Sequence, residues 1–302
     1  MRRPARTALR RIAPVRIALV AVLLGMLLLA PGCTRAAEEP ALTPKITPPA
    51  IKTAGTLKAG VDLTYPPFAG KDAGQEVGLD IDVAAAIASE LGLKLELVDV
   101  KPSEAATALA EGTADIVMSV PLSEQTVLGA TLAGTYLTDG PGFFVKSAGA
   151  SGSAGAATGT SGDASATAVP ALTVSALGRR SIGAQDGSPA FWSLEYDLGE
   201  GAVTSFPTLR DALSALDGGK VDVVAGDAVV AAYIARDFPG IAFAGPAGSI
   251  TPLAVAVATE NSDLETAVRD ALDALAAGGV LDTIRTKWVG DLPELPATTS
   301  GN

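Results

Sequence analysis

Apolar runs and amphipathic stretches alternate along most of this chain. Residues 57–61 form a short apolar run that predicts a buried strand, and an acid, an aromatic residue and two prolines follow it. Pro66 and Pro67 lack an N–H donor and fix φ, so they cannot continue a central strand. The chain is therefore predicted to leave the sheet here, with Asp62 and Tyr65 at the carboxyl end of the strand.

The carboxyl ends of strands are the places where open α/β sheets bind ligands. Asp62 and Tyr65 are accordingly candidate site residues. The alternative is a plain exit from the strand into a loop, in which Asp62 caps a turn.

The first half of the chain continues in the same way. Residues 79–91 carry apolar positions at helical spacing, and residues 93–100 alternate as a strand. A second helix is predicted from Pro102, and residues 115–119 then form a strand that ends in the polar Ser119. Helices and strands thus alternate, as they do in βαβ units.

The second half has a similar order of elements. Residues 180–184 form a predicted strand that leads through Gly187 and Ser188 into a helix. Residues 221–225 form another predicted strand, which ends at Asp227. Polar or glycine residues therefore follow the strands of this half as well.

A weak internal repeat relates the two halves. Residues 108–117 match residues 215–224 in pattern, since each comprises a helix end, a glycine and a strand. Strands that alternate with helices imply mainly parallel sheets, so the repeat favours two similar α/β lobes. The long apolar run at 250–258 is then a candidate for a strand that crosses back to the first lobe. The alternative is that a common βαβ pattern occurs twice by chance.

Two stretches lack apolar periodicity. Residues 145–169 consist mostly of Ser, Gly, Ala and Thr, which bury little apolar area, so we predict a flexible insert between the lobes. Residues 33–51 are rich in Pro, Ala, Thr and Glu, which predicts a tether ahead of the folded part.

The N-terminal segment predicts export. Residues 1–32 contain six arginines and no acid, and they include an apolar run that ends in small residues, as in a signal peptide. The run is short for a bilayer span of about 20 residues, although a transmembrane anchor is the alternative. It ends in Leu-Ala-Pro-Gly-Cys, which resembles a lipobox and predicts that Cys33 is lipidated. Cys33 is the only cysteine, so no disulfide forms within the chain.

Composition narrows the function further. The chain has 22 basic and 33 acidic residues, and 16 basic residues remain once residues 1–32 are removed. Such an acidic protein repels phosphate backbones, so nucleic-acid binding is not expected. The chain has no histidine, and lipidation removes its only thiol, which excludes Ser-His-Asp, Cys-His and zinc chemistry. We expect no metal or cofactor, and only carboxylate, lysine or tyrosine catalysis stays open.

The chain resembles the extracellular solute-binding proteins of family 3, which are the receptors of polar amino-acid ABC importers. The resemblance covers roughly residues 55–290, apart from the insert. Five segments in the order typical of the family carry it, namely 55–68, 77–92, 112–117, 219–227 and 279–290.

The resemblance implies a type II periplasmic-binding-protein fold, in which mainly parallel sheets are flanked by helices and two crossover strands join two lobes. Lobe 1 is then 52–144 plus 257–292, lobe 2 is 170–256, and residues 293–302 are a tail. The implied binding residues lie at strand ends of both lobes; they are Asp62, Tyr65, Phe68, Ser119, Gln125, Gly187, Ser188 and Asp227.

Roles follow from matching positions in the family. Tyr65 or Phe68 packs on the solute, and Ser119 offers a hydroxyl or a backbone N–H. Gly187 and Ser188 match the residues whose amides receive a carboxylate at a helix start. 

Asp227 matches the acid that holds an α-ammonium group. Helix N-capping is the alternative role for Asp227, and Ser188 serves as an N-cap with or without a ligand contact.

The sequence departs from the family at one position. An arginine usually clamps the solute carboxylate, but Gln125 or Thr126 falls there, and no arginine occurs between Arg35 and Arg179. The loss of that charge-assisted bond costs roughly 1.5–3 kcal/mol of interaction with a carboxylate. With Asp62 and Asp227 predicted to face the cleft, the hypothesis is an amine-bearing or cationic solute.

The sequence therefore predicts a monomeric lipoprotein, attached to the membrane through Cys33, that delivers a small polar amino-acid-like solute to ABC permease subunits. It is not expected to be an enzyme. One alternative is a sensory or interaction lipoprotein with the same fold. Another is a dehydratase-like enzyme acting on a small carboxylic acid, although no suitable acid and lysine pair is evident.

Overall fold

The computed structural model describes residues 42–122, 129–147 and 172–297. The predicted signal peptide, Cys33, Gln125 and most of the predicted insert lie outside the described residues. Within them, the chain forms two five-stranded sheets and one two-stranded sheet. None of the helices in this part of the chain has the length and apolar character needed to span a bilayer.

Strands and helices alternate over much of the described chain, as the sequence predicts, although several strands follow one another directly. The strands are β1 (Thr56–Val61), β2 (Gly70–Asp72), β3 (Gln75–Val77), β4 (Lys94–Asp99), β5 (Ile116–Pro121), β6 (Ala130–Asp139), β7 (Pro141–Lys146), β8 (Ile182–Gln185), β9 (Val203–Phe206), β10 (Val223–Asp227), β11 (Ile241–Pro246) and β12 (Thr251–Ala258). The helices are α1 (Leu79–Glu90), α2 (Ala105–Glu111), α3 (Pro189–Leu198), α4 (Leu209–Asp217), α5 (Ala228–Ala235), α6 (Ser262–Ala277) and α7 (Val280–Val289), with short 3₁₀ turns at Pro102–Glu104 and Val174–Ala176.

The first large sheet has the order β4-β1-β5-β12-β6, and the second has the order β11-β7-β10-β8-β9. In the first sheet β1 is parallel to β4 and β5, whereas β12 is antiparallel to β5 and β6. In the second, β8 is parallel to β9 and β10, whereas β7 is antiparallel to β10 and β11. Each sheet is thus half parallel and half antiparallel. The strands next to the crossovers are antiparallel to the strands of the βαβ units.

Two crossovers join the sheets. The first passes from β6 to β7 at Gly140, and the second passes from β11 to β12 through residues 247–250. The two crossovers touch, because a Cβ atom on Gly140 would lie only 2.5 Å from the carbonyl oxygen of Ser249. Glycine is therefore needed at this contact.

The sheets divide the chain differently from the sequence-based boundaries. The sequence assigned residues 141–144 to lobe 1, but β7 pairs with β10 and β11 in the second sheet. It also assigned residues 251–256 to lobe 2, but these belong to β12, which pairs with β5 and β6 in the first sheet. The chain passes to the second sheet directly after Asp139, which is earlier than the predicted insert at 145–169 suggests.

Both ends of the described chain pack on the first lobe. Residues 42–51 fall in the predicted tether, yet Ile51 is buried in the core and the Lys45 N–H donates to the Leu91 carbonyl oxygen at 2.9 Å. Leu295, in the predicted tail, is also buried, and its N–H donates to the Thr138 hydroxyl at 3.2 Å. A few apolar residues anchor both segments to the first lobe. The overall composition of the segments did not predict this packing.

The cores lie between the sheets and their helices. The long helix α6 buries a stripe of apolar side chains at helical spacing. It begins after Asn261, whose side chain accepts a hydrogen bond from the Leu264 N–H at 3.2 Å. These packed layers fix the strand ends that carry the candidate site residues.

Candidate functional site

Asp62 directly follows β1 and is held by its own turn and by a lysine. Its Oδ1 accepts hydrogen bonds from the Thr64 N–H at 3.0 Å and the Thr64 hydroxyl at 2.6 Å. The same oxygen lies 2.7 Å from Lys101 Nζ. Partial burial raises the pKa of Asp62, but the bonds from Lys101 and Thr64 outweigh this effect and leave the pKa below its usual value. Asp62 is therefore a charged turn cap whose charge is already paired.

Lys101 is a candidate site residue that sequence reasoning missed. It follows β4, which is the parallel neighbour of β1, so its side chain starts at the same sheet edge as Asp62. Besides Asp62, its Nζ lies 3.1 Å from the Thr64 hydroxyl and 3.5 Å from an Asp99 oxygen. The sequence feature that could have pointed to Lys101 is its position just after a strand in which apolar and polar residues alternate.

Tyr65 and Phe68 form a stacked pair. Their ring centroids are 5.3 Å apart and their planes differ by 6°. Phe68 is only 3% exposed, whereas Tyr65 is 47% exposed. Of the two residues predicted to pack on a solute, only Tyr65 presents its ring to solvent, and Phe68 supports it from the core.

Asp227 is the last residue of β10 and the N-cap of α5. Its Oδ1 accepts a hydrogen bond from the Val230 N–H at 2.8 Å, so the alternative of helix capping describes it correctly. Its Oδ2 accepts a hydrogen bond from the Tyr65 hydroxyl at 3.2 Å. This bond joins the loop after β1, in the first lobe, to the start of α5, in the second. The two strand-end edges therefore face each other.

Asp139, which the sequence did not single out, lies beside Asp227. It is the last residue of β6 and is 8% exposed. Its Oδ1 accepts hydrogen bonds from the Gly140 N–H at 2.7 Å and the Val229 N–H at 3.2 Å, and its carboxyl group is in hydrogen-bonding range of the Asp227 carboxyl group. Both acids thus contact the N-terminus of α5.

Burial and mutual proximity disfavour the state in which both carboxyl groups are charged. Burial first, and the charge of Asp227 second, raise the pKa of Asp139 to about 9. Burial also raises the pKa of Asp227, but bonds from the Val230 N–H, Asp139 and Tyr65 counter that rise. At neutral pH the two carboxyl groups therefore hold at least one proton between them.

Gly187 and Ser188 lead from β8 into α3. Gly187 has a φ of 67°, in the left-handed region that favours glycine. The Ser188 hydroxyl accepts a hydrogen bond from the Phe191 N–H at 3.1 Å, so Ser188 is the N-cap of α3. Because β8 and β10 are parallel neighbours, these residues lie at the same sheet edge as Asp227.

Ser119 lies in β5, where it belongs to a partly buried network. Its hydroxyl donates to Asp80 Oδ2 at 2.7 Å, and its N–H donates to the Tyr136 hydroxyl at 2.9 Å. The Tyr136 hydroxyl in turn donates to Asp80 Oδ1 at 2.6 Å. Both groups that the resemblance reserved for a solute are thus engaged inside the first lobe.

Asp80 is the charged centre of this network. It is 2% exposed at the start of α1, and burial raises its pKa to about 6 although two hydroxyl groups donate to it. Ser119 has a φ of 55°, which is unusual for a residue with a side chain, and its bonds to Asp80 and Tyr136 accompany this conformation. The pattern of apolar and polar positions along the chain did not predict this network.

The predicted site residues thus fall into three groups. Tyr65 meets Asp227 across the lobes, at the edge that also carries Gly187 and Ser188. Asp62 is paired with Lys101, and Ser119 is partly buried in the Asp80 network. A cavity of about 620 Å³ lies elsewhere, between α5, β11 and the end of α7.

The sequence matches the model of the bacterial extracellular solute-binding proteins, family 3, over residues 57–291. The chain belongs to this family. No curated protein matches it by sequence. The family assignment predicted from the sequence is confirmed.

Solved structures of other solute-binding proteins share the fold of this family 3 protein. An ancestral cationic amino acid solute-binding protein is 25% identical, with 78% of this chain and 96% of that chain covered and a TM-score of 0.61. A polar amino acid ABC uptake transporter substrate-binding protein from Streptococcus thermophilus is 20% identical, with coverages of 81% and 88% and a TM-score of 0.65.

A third similar structure is the L-cystine solute receptor of Neisseria gonorrhoeae in its unliganded open conformation. It is 17% identical, with coverages of 81% and 95% and a TM-score of 0.62. The predicted α/β fold of the type II periplasmic-binding-protein class is therefore confirmed. Members of family 3 are extracellular solute-binding proteins, and this chain shares that general role.

Proposed function

We propose that this protein captures a small amine-bearing or cationic solute between its lobes and delivers it to an ABC permease. The observation that carries the proposal is the hydrogen bond from Tyr65 to Asp227. It brings the strand ends of the two lobes together, which is where a bilobed α/β protein gathers ligand contacts. Closure of the lobes around a solute is a hinge motion that a permease can sense.

Charge at this point favours a cation. Two acids, Asp139 and Asp227, meet here, and no lysine or arginine of the described residues bonds to either. An ammonium group placed at Asp227 forms a charge-assisted hydrogen bond with it. The neighbouring Asp139 also favours a positive charge there. A carboxylate placed there meets repulsion instead.

One comparison supports the same class of solute. The similar structure with 25% identity is described as a cationic amino acid solute-binding protein. The absence of an arginine between Arg35 and Arg179 also disfavours a solute whose main feature is a carboxylate. Lys101 does not replace that arginine in this structure, because Asp62 and Asp99 already neutralise it.

The cellular setting is part of the proposal. Export through residues 1–32, lipidation of Cys33 and a monomeric state fit a receptor held at the outer face of the membrane. Binding is proposed to leave the solute chemically unchanged, in contrast to a dehydratase. Transport, measured as uptake that requires both this protein and its permease, distinguishes the receptor from a purely sensory lipoprotein.

A ligand panel tests the proposal. The mature protein is mixed with L-arginine, L-lysine, agmatine, L-glutamate and succinate, and unfolding temperatures are recorded, since a bound ligand stabilises the folded state by RT ln(1 + [L]/Kd). We expect the cationic amines to raise the midpoint and Asp227→Asn to abolish the rise.

Asp237→Asn is the matched control, because Asp237 is a lobe 2 acid that pairs with Arg210 away from the site. It should respond as the unchanged protein does. Tight binding of succinate, or an unchanged response in Asp227→Asn, would overturn the proposal.

A further inference from the structure

We infer that the solute's ammonium group and a proton compete for the Asp139–Asp227 pair, so that capture of the solute releases one proton. This inference rests on the proposed function and adds a means of regulation to it. It makes solute affinity depend on the pH outside the cell.

The first step is geometric. Asp139 ends β6 and Asp227 ends β10, and their carboxyl groups meet at the N-terminus of α5. Asp139 is almost fully buried, and the Val229 N–H and the Val230 N–H bind one acid each. Neither side chain can turn away from the other without leaving a backbone N–H of α5 without its partner.

The second step concerns the surrounding charges. The pair is enclosed by the ends of β6 and β10, the first turn of α5 and the loop after β1. Among the described residues, the titratable side chain that faces it from these elements is Tyr65, which burial and the two carboxyl groups keep protonated by raising its pKa. With no cation present, ionisation of one carboxyl group beside the other is disfavoured, so one proton stays at neutral pH.

The third step is the exchange. In the inferred exchange, the pair holds one proton and one negative charge before binding. An ammonium group at Asp227 supplies the missing positive charge, which favours ionisation of the nearby Asp139. The proton passes to solvent, leaving two carboxylates and one ammonium group, so the buried site keeps the same net charge throughout.

The position of the pair links this exchange to lobe movement. Asp139 immediately precedes Gly140, at which the chain crosses from the first sheet to the second. Asp227 holds the Tyr65 bond that spans the lobes. Loss of the proton therefore changes the charge of Asp139, beside the crossover, rather than that of a distant surface group.

Titration calorimetry of the mature protein tests the inference. L-arginine, L-lysine and agmatine are titrated at pH 7 in phosphate, imidazole and Tris, whose ionisation enthalpies differ. The dependence of the binding heat on the buffer gives the number of protons exchanged. We expect about one proton released per solute, and an affinity that rises by at most about tenfold per pH unit up to pH 9.

Asp139→Asn keeps a neutral donor beside Asp227 but has no proton to lose. It should bind the same amines without proton release and with little dependence on pH, provided its unfolding curve shows that it is folded. Asp237→Asn, a surface control, should still release about one proton.

The outcomes separate the two proposals. Failure of every amine to bind overturns both the proposed function and the exchange. Binding by the unchanged protein without proton release overturns the exchange alone, and this result needs no variant. Equal proton release in Asp139→Asn overturns the assignment to the pair.

Discussion

The Tyr65 hydroxyl donates a hydrogen bond to Asp227 across the two lobes, at 3.2 Å. Tyr65 comes from the loop after β1, and Asp227 caps α5. An ammonium group that binds Asp227 must therefore share it with the Tyr65 hydroxyl or displace it. The bond links the two lobes and sets what a solute has to replace.

Tyr65→Phe removes this hydroxyl but keeps the ring that stacks on Phe68. Hydrogen bonds to charged groups contribute about 1.5–3 kcal/mol, and partial exposure of Tyr65 reduces that to about 1 kcal/mol. The unliganded protein should shift several-fold toward open lobes. Small-angle X-ray scattering should then give a larger radius of gyration. Tyr196→Phe, on an exposed face of α3, is the control, and an unchanged radius in Tyr65→Phe would show that the bond does not hold the lobes together.

The pH dependence of stability tests the protonation of Asp139. The pKa of Asp139 is near its usual value in the unfolded chain and about 9 in the folded protein, so folding favours the protonated form. Its contribution to stability is full below about pH 4 and is lost as pH rises through 9. Between these limits the free energy of unfolding should fall by at most about 1.4 kcal/mol per pH unit relative to Asp139→Asn. Urea titrations at pH 5, 7 and 9 measure this difference, and parallel curves for the two proteins would contradict it.

The Asp80 network makes a separate prediction about the first lobe. Tyr136→Phe removes one of the two hydroxyl groups that donate to the buried Asp80 carboxyl group. Asp80 has a pKa of about 6, so at pH 7 it is mainly charged and the loss should cost about 2 kcal/mol. At pH 5 Asp80 is mainly protonated, and the cost should be smaller. Denaturant unfolding at both pH values checks this, with Tyr233→Phe as a control on α5, and an equal cost at both would argue against a charged Asp80.

Residues at strand ends were the part of the site that could be predicted. Asp62 and Asp227 follow apolar runs, and the switch from apolar to polar positions marks the edge at which they lie. Their partners could not be predicted, because the Tyr65–Asp227 contact joins residues 162 positions apart. A sequence pattern places a residue on an edge but does not say what faces it.

Asp139 shows why the central acid was missed. β6 contains Gly134, Thr135 and Thr138, so its apolar alternation is too weak to predict a strand that ends at Asp139. The sequence-based lobe boundary fell after this strand, at the insert, and the crossover went unnoticed. The burial that raises the pKa of Asp139 arises only once the two sheets and α5 come together.

Asp80 shows a different failure. Asp80 and Asp82 both lie in the first turn of α1, where the helix dipole favours acids. Asp82 does accept hydrogen bonds from Lys287 and Trp288 near the surface, but Asp80 faces the interior. Helical spacing puts the two acids on different sides of α1. It does not reveal that the inner one meets Ser119 and Tyr136.

Lys101 offers the last test, because it pairs with Asp62 beside the cleft. Lys101→Gln leaves the Asp62 carboxylate with only its Thr64 partners, so the first lobe gains an unpaired negative charge. Compared with the unchanged protein, the variant should bind a solute with two cationic groups about fivefold more tightly. A solute with a single ammonium group should gain less. Calorimetry with agmatine, which has two cationic groups, and with propylamine, which has one, measures the ratio of affinities. Lys71→Gln, in β2, is the control for a general loss of positive charge, and an equal gain for both solutes would mean that Asp62 does not face the bound molecule.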